Sequence, residues 1–314
     1  ARASLAAQKA AAAAADLTVA SQVASGYITL LSLDEQLRVT QSTLAAREEA
    51  YNLAKRQFET GYSSRLELMQ SDSERRATRA QIPQLQHQIS EQENALSLLA
   101  GGNPGPVPRG AFDRLTPLPV PAQLPSTLLN RRPDIVQAQQ ALIAADASLA
   151  ASQARLLPSI SLTAGGTWQA DTLPGLLDNP LRLWSVGGSI LAPLLNRQAL
   201  NAQVDVSMSQ RNQALYSYEN TVRNAFKEVN DSLDAIARLQ EQLDELQEQA
   251  TVAEEALRIA HNRYRNGYAS YLDELDAQRT LYSAQTNVVQ VKNNLLLAQV
   301  DLYRALGGGW TGVQ

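Results

Sequence analysis

The chain has 314 residues and a formal net charge of −4, from 27 Lys and Arg against 31 Asp and Glu. A mildly acidic charge argues against a nucleic-acid-binding protein, which needs a clustered basic face. The chain has no cysteine and only two histidines, His87 and His261. Disulfides, thiol nucleophiles and zinc–thiolate sites are therefore excluded, and we expect neither a metal nor a cofactor.

Residues 1–99 have the pattern of two long helices. Ten of the 16 residues of Ala1–Asp16 are alanine, which is typical of the middle of a helix, so we expect the parent protein to begin upstream. Gly26 is the only Gly or Pro before Gly61, whereas the mean helix of a globular protein has only about 11–12 residues. We predict a long helix, a glycine turn at Gly61 and a second helix of about 35–40 residues.

Residues 100–131 are rich in Pro and Gly and predict an irregular linker. The sequence Arg132-Pro133-Asp134 then starts a helix that we place within residues 132–157. Proline suits the first helical turn, and an aspartate there interacts favourably with the positive end of the helix dipole. We interpret Arg132 and Asp134 as structural residues.

Residues 158–193 predict a β-hairpin with two strand segments and a joining loop. These are, in chain order, residues 159–164, the loop 171–180 and residues 184–191. Their period-2 alternation fits either a barrel hairpin with one face on lipid or a soluble surface hairpin. In the barrel, Trp168 and Trp184 would lie at the membrane interface. Because an isolated hairpin is at best marginally stable, these strands need partners from other copies or from elsewhere in the protein.

Residues 194–306 predict a second pair of long helices, followed by a C-terminal tail at 307–314. From Leu194 to Asn266 the chain contains neither Gly nor Pro over 73 residues. Apolar residues recur at spacings of 3 and 4 in both helices, which is typical of left-handed coiled coils. A short turn at Gly267 makes the two helices antiparallel neighbours.

The second helical region repeats the first at an offset of 206 residues without a gap. The heptad register carries over between the two regions, so we infer a structural duplication. The matching segments include Glu48-Glu49-Ala50 with Glu254-Glu255-Ala256, Gly61-Tyr62 with Gly267-Tyr268, and Gly101-Gly102 with Gly307-Gly308.

This order of elements resembles the outer-membrane factors of the TolC and OprM type. The resemblance covers essentially the whole chain and is closest to the branch that serves resistance-nodulation-division efflux pumps. The segments that carry it are Leu128–Ile135, Leu157–Leu162, Arg263–Tyr268, Leu275–Arg279 and Leu302–Trp310.

The resemblance implies a mainly α protein in which long antiparallel coiled-coil helices continue a trimeric outer-membrane β-barrel. Such a homotrimer spans the outer membrane of a Gram-negative bacterium and extends into the periplasm as a passive exit duct. It implies contacts with a periplasmic adaptor protein, an inner-membrane pump and outer-membrane lipid, and no enzymatic activity. The chain departs from the family, because it has one hairpin where two are usual, and the lipidated cysteine, first helices and first hairpin are absent.

By position in the family, the constriction of the duct would be formed by residues of the second helical turn region. These are Leu272, Asp273, Asp276 and Arg279. Tyr264 would hold neighbouring helices together in the closed duct. Asp273 and Asp276 lie three residues apart and share one helix face. In a trimer, three such pairs would concentrate negative charge at the narrow end of the duct and attract cations. The alternative is that these carboxylates are an ordinary solvated helix surface. At the corresponding positions the first repeat has Glu67 for Asp273 and Gln70 for Asp276.

The two turns resemble the adaptor-docking tips of the family, the alternative being ordinary helix turns. The residues concerned are Gly61, Tyr62, Ser63, Gly267, Tyr268 and Ala269.

A periplasmic coiled-coil scaffold without channel activity is the competing hypothesis. It explains the heptads and the duplication, but it explains neither the Trp-bracketed strands nor the shared Gly-Tyr turns. An enzyme is a distant third, because no nucleophile–base pair, metal cluster or phosphate loop is visible in the sequence.

Overall fold

The computed structural model describes residues 1–116, 131–178 and 181–308. The described chain is mainly helical and contains a two-stranded antiparallel sheet. Its elements in chain order are α1 (Arg2–Glu59), α2 (Arg65–Leu99), a short 3-10 helix (Phe112–Arg114), α3 (Pro133–Ala154), β1 (Ser159–Gln169), α4 (Leu173–Asp178), β2 (Leu181–Leu191), α5 (Arg197–Arg265) and α6 (Tyr271–Ala305).

The first helix pair (α1 and α2) and the second helix pair (α5 and α6) have the same local geometry at positions 206 residues apart. Helices α2 and α6 each contain 35 residues. Gly61 and Gly267 have φ angles of 79° and 77°, a region that residues with a Cβ rarely adopt. At the far ends, Ala100 and Leu306 both have φ −78° and ψ −1°. This agreement supports the duplication inferred from the sequence.

The described residues divide into two compact units. The first contains residues 1–11, 134–178 and 181–223, and the second contains residues 12–116, 131–133 and 224–308. In the first unit, the Ser152 and Ser207 hydroxyls are 2.8 Å apart, and Arg211 pairs with Asp146 at 2.9 Å. These polar contacts join α3 to the beginning of α5.

The second unit has an apolar interior along each helix pair. Between α5 and α6, a cluster of buried side chains includes Val229 and Leu295. Between α1 and α2, a second cluster includes Leu30 and Leu96. The helices approach closely at Gly26, where an added Cβ would lie 2.9 Å from Leu96 Cδ2. A side chain at this position of α1 would therefore require the Leu96 side chain of α2 to move.

The hairpin pairs β1 with β2 in a register that separates an apolar from a polar face. Ile160 lies opposite Ile190, Ala164 lies opposite Val186, and these pairs share one face. On the other face the Ser161 and Ser189 hydroxyls are 2.7 Å apart. Every residue of both strands is exposed. The apolar face therefore has no covering element within the described part of the chain.

The structure corrects several boundaries of the predicted elements. Both strands have 11 residues and are longer than their alternating segments. Strand β1 continues through Gly165, Gly166 and Trp168, and β2 begins three residues before Trp184. The loop 171–180 contains the helix α4. The linker 100–131 contains the 3-10 helix around the buried Phe112, and its residues 117–130 lie outside the described chain. The tail is described only at residues 307–308.

Within the described ranges, no helix carries an 18-residue stretch apolar enough to cross a membrane.

Candidate functional site

The turn of the second helix pair places four of the predicted constriction residues on the first turns of α6. Asp273 accepts hydrogen bonds from the backbone N–H and the hydroxyl of Ser270, both at 2.9 Å. A carboxylate at this position satisfies a free N–H group at the helix start. Leu272 and Asp276 are exposed. One face of α6 at the turn is therefore acidic and open, and Asp273 also caps the helix.

Tyr264, at the end of α5, joins the second helix pair to the first. Its side chain is only 6% exposed. The hydroxyl oxygen lies 2.8 Å from Gln57 Oε1 on α1 and 2.5 Å from Glu67 Oε1 on α2. The single hydroxyl proton goes to the carboxylate, and a flip of the Gln57 amide would let that side chain donate to the tyrosine oxygen. Burial, then the hydrogen bond to Glu67, raises the pKa of Tyr264.

Aromatic and aliphatic packing supports this hydrogen bond. The rings of Tyr264 and Tyr271 have centroids 5.7 Å apart. With Leu275 they form a buried cluster against Ala50 and the half-buried Leu53 of α1. Burial also raises the pKa of Tyr271 to about 12. The contact between the two helix pairs at the turns is therefore mainly apolar, with a buried hydrogen bond at its edge.

Arg279 makes a second connection between the helix pairs, further along α6. Its guanidinium pairs with Glu74 of α2, and this hydrogen bond raises the pKa of Arg279. The other Glu74 oxygen pairs at 3.1 Å with Arg47 of α1, which also donates to the Thr78 hydroxyl. Arg47 is buried, and the loss of solvent lowers its pKa. Glu74 is thus shared between a buried and an exposed arginine.

Tyr282 extends this connection by one turn of α6. Its hydroxyl lies 3.1 Å from the Thr40 hydroxyl of α1 and 2.5 Å from Gln81 Oε1 of α2. The Arg47 guanidinium lies 5.8 Å from the centre of the Tyr282 ring, within the range of a cation–π contact. The second helix pair is therefore held to the first at two levels, at Tyr264 and around Glu74.

The predicted site residues fall into two sets. Asp273 and Asp276 lie together in a groove of about 500 Å³ between α5 and α6. Tyr264 and Arg279 instead point to the first helix pair, where they bond side chains of α1 and α2. The predicted single constriction is thus divided between an open groove and the contact of Tyr264 and Arg279 with α1 and α2, which we call the internal joint.

The glycines and tyrosines of the predicted docking tips and both interface aromatics are exposed, whereas Ser63 and Ala269 are half-buried. Tyr62 and Tyr268 project from the two turns beside their positive-φ glycines, and Ala269 lies in the groove between α5 and α6. The Ser63 hydroxyl turns back to the Ala54 carbonyl at 3.4 Å. On the hairpin, both tryptophans are exposed and share its apolar face, one of them opposite Arg182 and the other opposite Gly166.

Sequence reasoning missed the role of Arg47. Its contact with Glu74 depends on the register between two helices, which single-helix spacing does not reveal. The duplication offered a signal, because the counterpart of Arg47 is Ala253, a residue of the apolar heptad stripe of α5. A charged residue at a heptad core position indicates a buried polar contact.

Sequence reasoning also missed a carboxylate buried beneath His261. Glu274 is buried, and its Oε1 lies 2.9 Å from His261 Nδ1. Gln278, one turn later, donates to the same oxygen at 3.1 Å. These residues join α5 to α6 close to the turn. Among the described residues, no three His, Asp or Glu side chains are grouped closely enough to hold a metal ion.

Comparison with known proteins identifies the family. Residues 1–102 and 124–308 match the family described as outer membrane efflux protein. The chain is 35% identical over 296 residues to the probable efflux pump outer membrane protein TtgC of Pseudomonas putida, covering 94% of this chain and 61% of that protein. It is 33% identical over 300 residues to the cation efflux system protein CusC of Escherichia coli CFT073, covering 95% of this chain and 65% of that protein.

A solved structure shows the same fold. The outer membrane protein VceC of Vibrio cholerae superposes with a TM-score of 0.86 and 27% identity, covering 98% of this chain and 74% of that one. The chain thus spans about three fifths of the length of the curated relatives that it matches. These relatives are efflux channel proteins and not enzymes. The chain belongs to the outer membrane efflux protein family.

Proposed function

We propose that this chain is part of a subunit of a homotrimeric exit duct in the outer membrane of a Gram-negative bacterium. The duct would be the passive outer component of a tripartite efflux system of the resistance-nodulation-division type. Membership of the outer membrane efflux protein family and the matches to TtgC and CusC support this proposal.

The observation that carries the proposal is the two-faced, exposed hairpin of β1 and β2. Its apolar face presents Ile160, Val186 and Ile190 to solvent, and its opposite face is largely Ser, Thr and Gly. A hairpin of this kind is unstable alone, and its outer backbone edges need further strands. A trimeric barrel supplies those strands, with lipid against the apolar face and Trp168 and Trp184 at its border. A periplasmic scaffold does not require an exposed apolar hairpin face.

The helix pairs would form the wall of a periplasmic tunnel as antiparallel coiled coils. In this arrangement, the contact of Tyr264 with Gln57 and Glu67 holds the second helix pair against the first and keeps the tunnel closed. Opening would separate α5 and α6 from α1 and α2 as rigid bodies, when a partner binds the open arrangement more tightly. Leu272 and Asp276, exposed on the first turns of α6, would line the narrowest point, with Asp273 beside them.

The partner that favours opening would be a periplasmic adaptor protein at the two turns. The residues around Gly61 and Gly267, including Tyr62, Ser63, Tyr268 and Ala269, are available there at the ends of the helix pairs. An adaptor helical hairpin would pack between them as one amphipathic helix packs in a groove. The adaptor would link the duct to the inner-membrane pump.

Single-channel conductance of the whole protein in planar bilayers tests the constriction. A ring of three Asp276 carboxylates would concentrate cations and bind polyvalent ones. Asp276→Ala should therefore raise the conductance and weaken block by polyvalent cations. Asp244→Ala, which removes an exposed carboxylate of α5 about six helical turns before Gly267, is the matched control. Equal conductance and equal block in both variants would remove Asp276 from the constriction.

A further inference from the structure

Three polar side chains join α5 to α6 close to the turn at Gly267. His261 of α5 approaches α6 through its Nδ1, which lies 2.9 Å from Glu274 Oε1. Gln278, one helical turn further along α6, donates to the same oxygen at 3.1 Å. We call His261, Glu274 and Gln278 the polar trio. Its members come from both helices of the second pair, which the short turn holds together.

The charge of Glu274 is poorly compensated in its buried position. The residue is only 2% exposed, so its carboxylate has lost its contact with water. Within the described part of the chain, Oε2 has no hydrogen-bond partner and the ion-pair partner of the carboxylate is His261 alone. An imidazole is charged only when it is protonated. Because buried charges in proteins are paired or bound to metals, this carboxylate needs a cation.

The polar trio has a second unused acceptor and a route to solvent. Gln278 is 6% exposed, and among the described residues its Oε1 also lacks a hydrogen-bond partner. All three side chains line a groove of about 720 Å³ between α1 and α5, which we call the α1–α5 groove. The His261 side chain is 43% exposed. A small cation can therefore reach the trio from solvent.

The duplication shows that the packing of a helix pair does not require this carboxylate. At an offset of 206, Glu274 corresponds to Leu68 and His261 corresponds to Lys55. Leu68 is half-buried on α2, so an apolar side chain takes this position in the first helix pair. The polar trio is therefore particular to the second helix pair.

We propose that the polar trio binds one divalent transition-metal ion, such as Zn²⁺, through His261 Nδ1, the Glu274 carboxylate and Gln278 Oε1. Imidazole nitrogen and carboxylate oxygen are usual zinc ligands. Two ligands about 2.1 Å from a metal and about 90–110° apart are separated by about 3.0–3.4 Å. The 2.9 Å between Nδ1 and Oε1 is close to this separation. The ion replaces the hydrogen bond of this pair and balances the buried charge.

The ligand set defines the kind of site. It contains fewer than three His, Asp or Glu side chains, so the third protein ligand is an amide oxygen and water completes the coordination. The nitrogen ligand favours Zn²⁺ over Mg²⁺, which prefers oxygen. The sequence predicted no metal site because its two histidines lie far apart, whereas this site uses only one of them. The bound ion ties α5 to α6 beside the turn.

Isothermal titration calorimetry of Zn²⁺ into the whole protein, purified in detergent without a histidine tag or chelating agents, tests the site. His261→Ala should remove one bound ion per chain. Glu274→Leu, which introduces the residue of the first helix pair, should remove the same ion. His87→Ala is the matched control, because it removes the other histidine, whose partner Glu91 is exposed on the same helix. Titration with Mg²⁺ should show no binding to the trio.

Thermal unfolding with and without Zn²⁺ gives a second readout, since an ion that binds only the folded protein raises the unfolding midpoint. Zn²⁺ should raise the midpoint of the unaltered protein and of His87→Ala. It should raise the midpoint less in His261→Ala and Glu274→Leu.

The outcomes decide between a metal site and a structural hydrogen bond. Loss of one Zn²⁺ per chain in His261→Ala and Glu274→Leu, but not in His87→Ala, supports the proposal. Equal Zn²⁺ binding by His261→Ala and His87→Ala overturns it, and so does an unaltered protein that binds no Zn²⁺. Neither of the last two results bears on the proposed duct, which the oligomeric mass and the conductance test independently.

Discussion

At the scale of single residues, Tyr264 connects the helix pairs at the turns through one hydroxyl group. Its ring fills an apolar cluster, and its hydroxyl reaches the Glu67 carboxylate at the edge of that cluster. A hydrogen bond to a charged group contributes more than one between neutral groups, and a half-buried carboxylate left without its donor is costly. The Tyr264 hydroxyl therefore contributes to holding the two helix pairs together, in addition to the packing of its ring.

Tyr264→Phe should weaken the joint and leave the packing intact. We expect a loss of about 1–3 kcal/mol in the free energy of closing, because the Glu67 carboxylate loses its donor. In planar bilayers the variant should open more often or conduct more than the unaltered protein. Tyr268→Phe removes a hydroxyl from an exposed tyrosine of the same turn and is the matched control. A Tyr264→Phe protein with the conductance of the control would show that this hydroxyl does not hold the duct closed.

Removal of the Glu74 carboxylate tests whether the buried Arg47 of α1 needs a charged partner. Glu74→Ala would leave Arg47 buried without its charged partner and would also free Arg279. Breaking a buried pair on one side destabilises by about 3–5 kcal/mol, whereas exposed pairs contribute about 0–1 kcal/mol. We therefore expect a large drop in the thermal unfolding midpoint for Glu74→Ala. Glu48→Ala, which breaks the exposed pair with Arg79, should barely change it. Similar midpoints for the two variants would contradict a special role of Glu74.

At the scale of elements, each of the two glycine turns ends one long helix and connects it to the second helix of its pair. Gly267 has φ 77°, and no atom outside its chain neighbours lies within 4 Å of a Cβ added there. Any cost of a side chain at this position therefore comes from backbone conformation and not from a clash.

Gly267→Ala should destabilise the protein by about 1–2 kcal/mol, the cost of placing an L residue in the left-handed region. Gly102→Ala is the control, since Gly102 has no positive φ and its added Cβ would meet its nearest atom at 3.6 Å. Thermal unfolding of both variants measures the difference. An unchanged midpoint for Gly267→Ala would mean that the turn relaxes to another conformation at no cost.

The elements differed in how far the sequence alone could predict them. Breaker-free heptads predicted the long helices to within a few residues, because every turn of a helix repeats the same local signal. The first strand was underestimated, since the glycines at 165–166 interrupt its apolar alternation but still fit a paired ladder. The buried Arg47 and Glu274 depend on contacts between helices, and no pattern within one helix encodes those contacts.

At the scale of the whole molecule, the duplicated helix pairs, the amphipathic hairpin and the family point to one assembly. The helix pairs bury their apolar contact at the turns, whereas the hairpin leaves an apolar face in solvent. An exposed apolar face of this kind is typical of a surface that contacts another protein or a membrane. In the proposed trimer, lipid and strands from other copies would cover this face.

The oligomeric mass of the whole protein in detergent, measured by light scattering with correction for bound detergent, tests this account most directly. We predict a mass of three chains and loss of solubility when the detergent is removed. A monomer or dimer that stays in solution without detergent would contradict the duct and would favour a periplasmic coiled-coil scaffold.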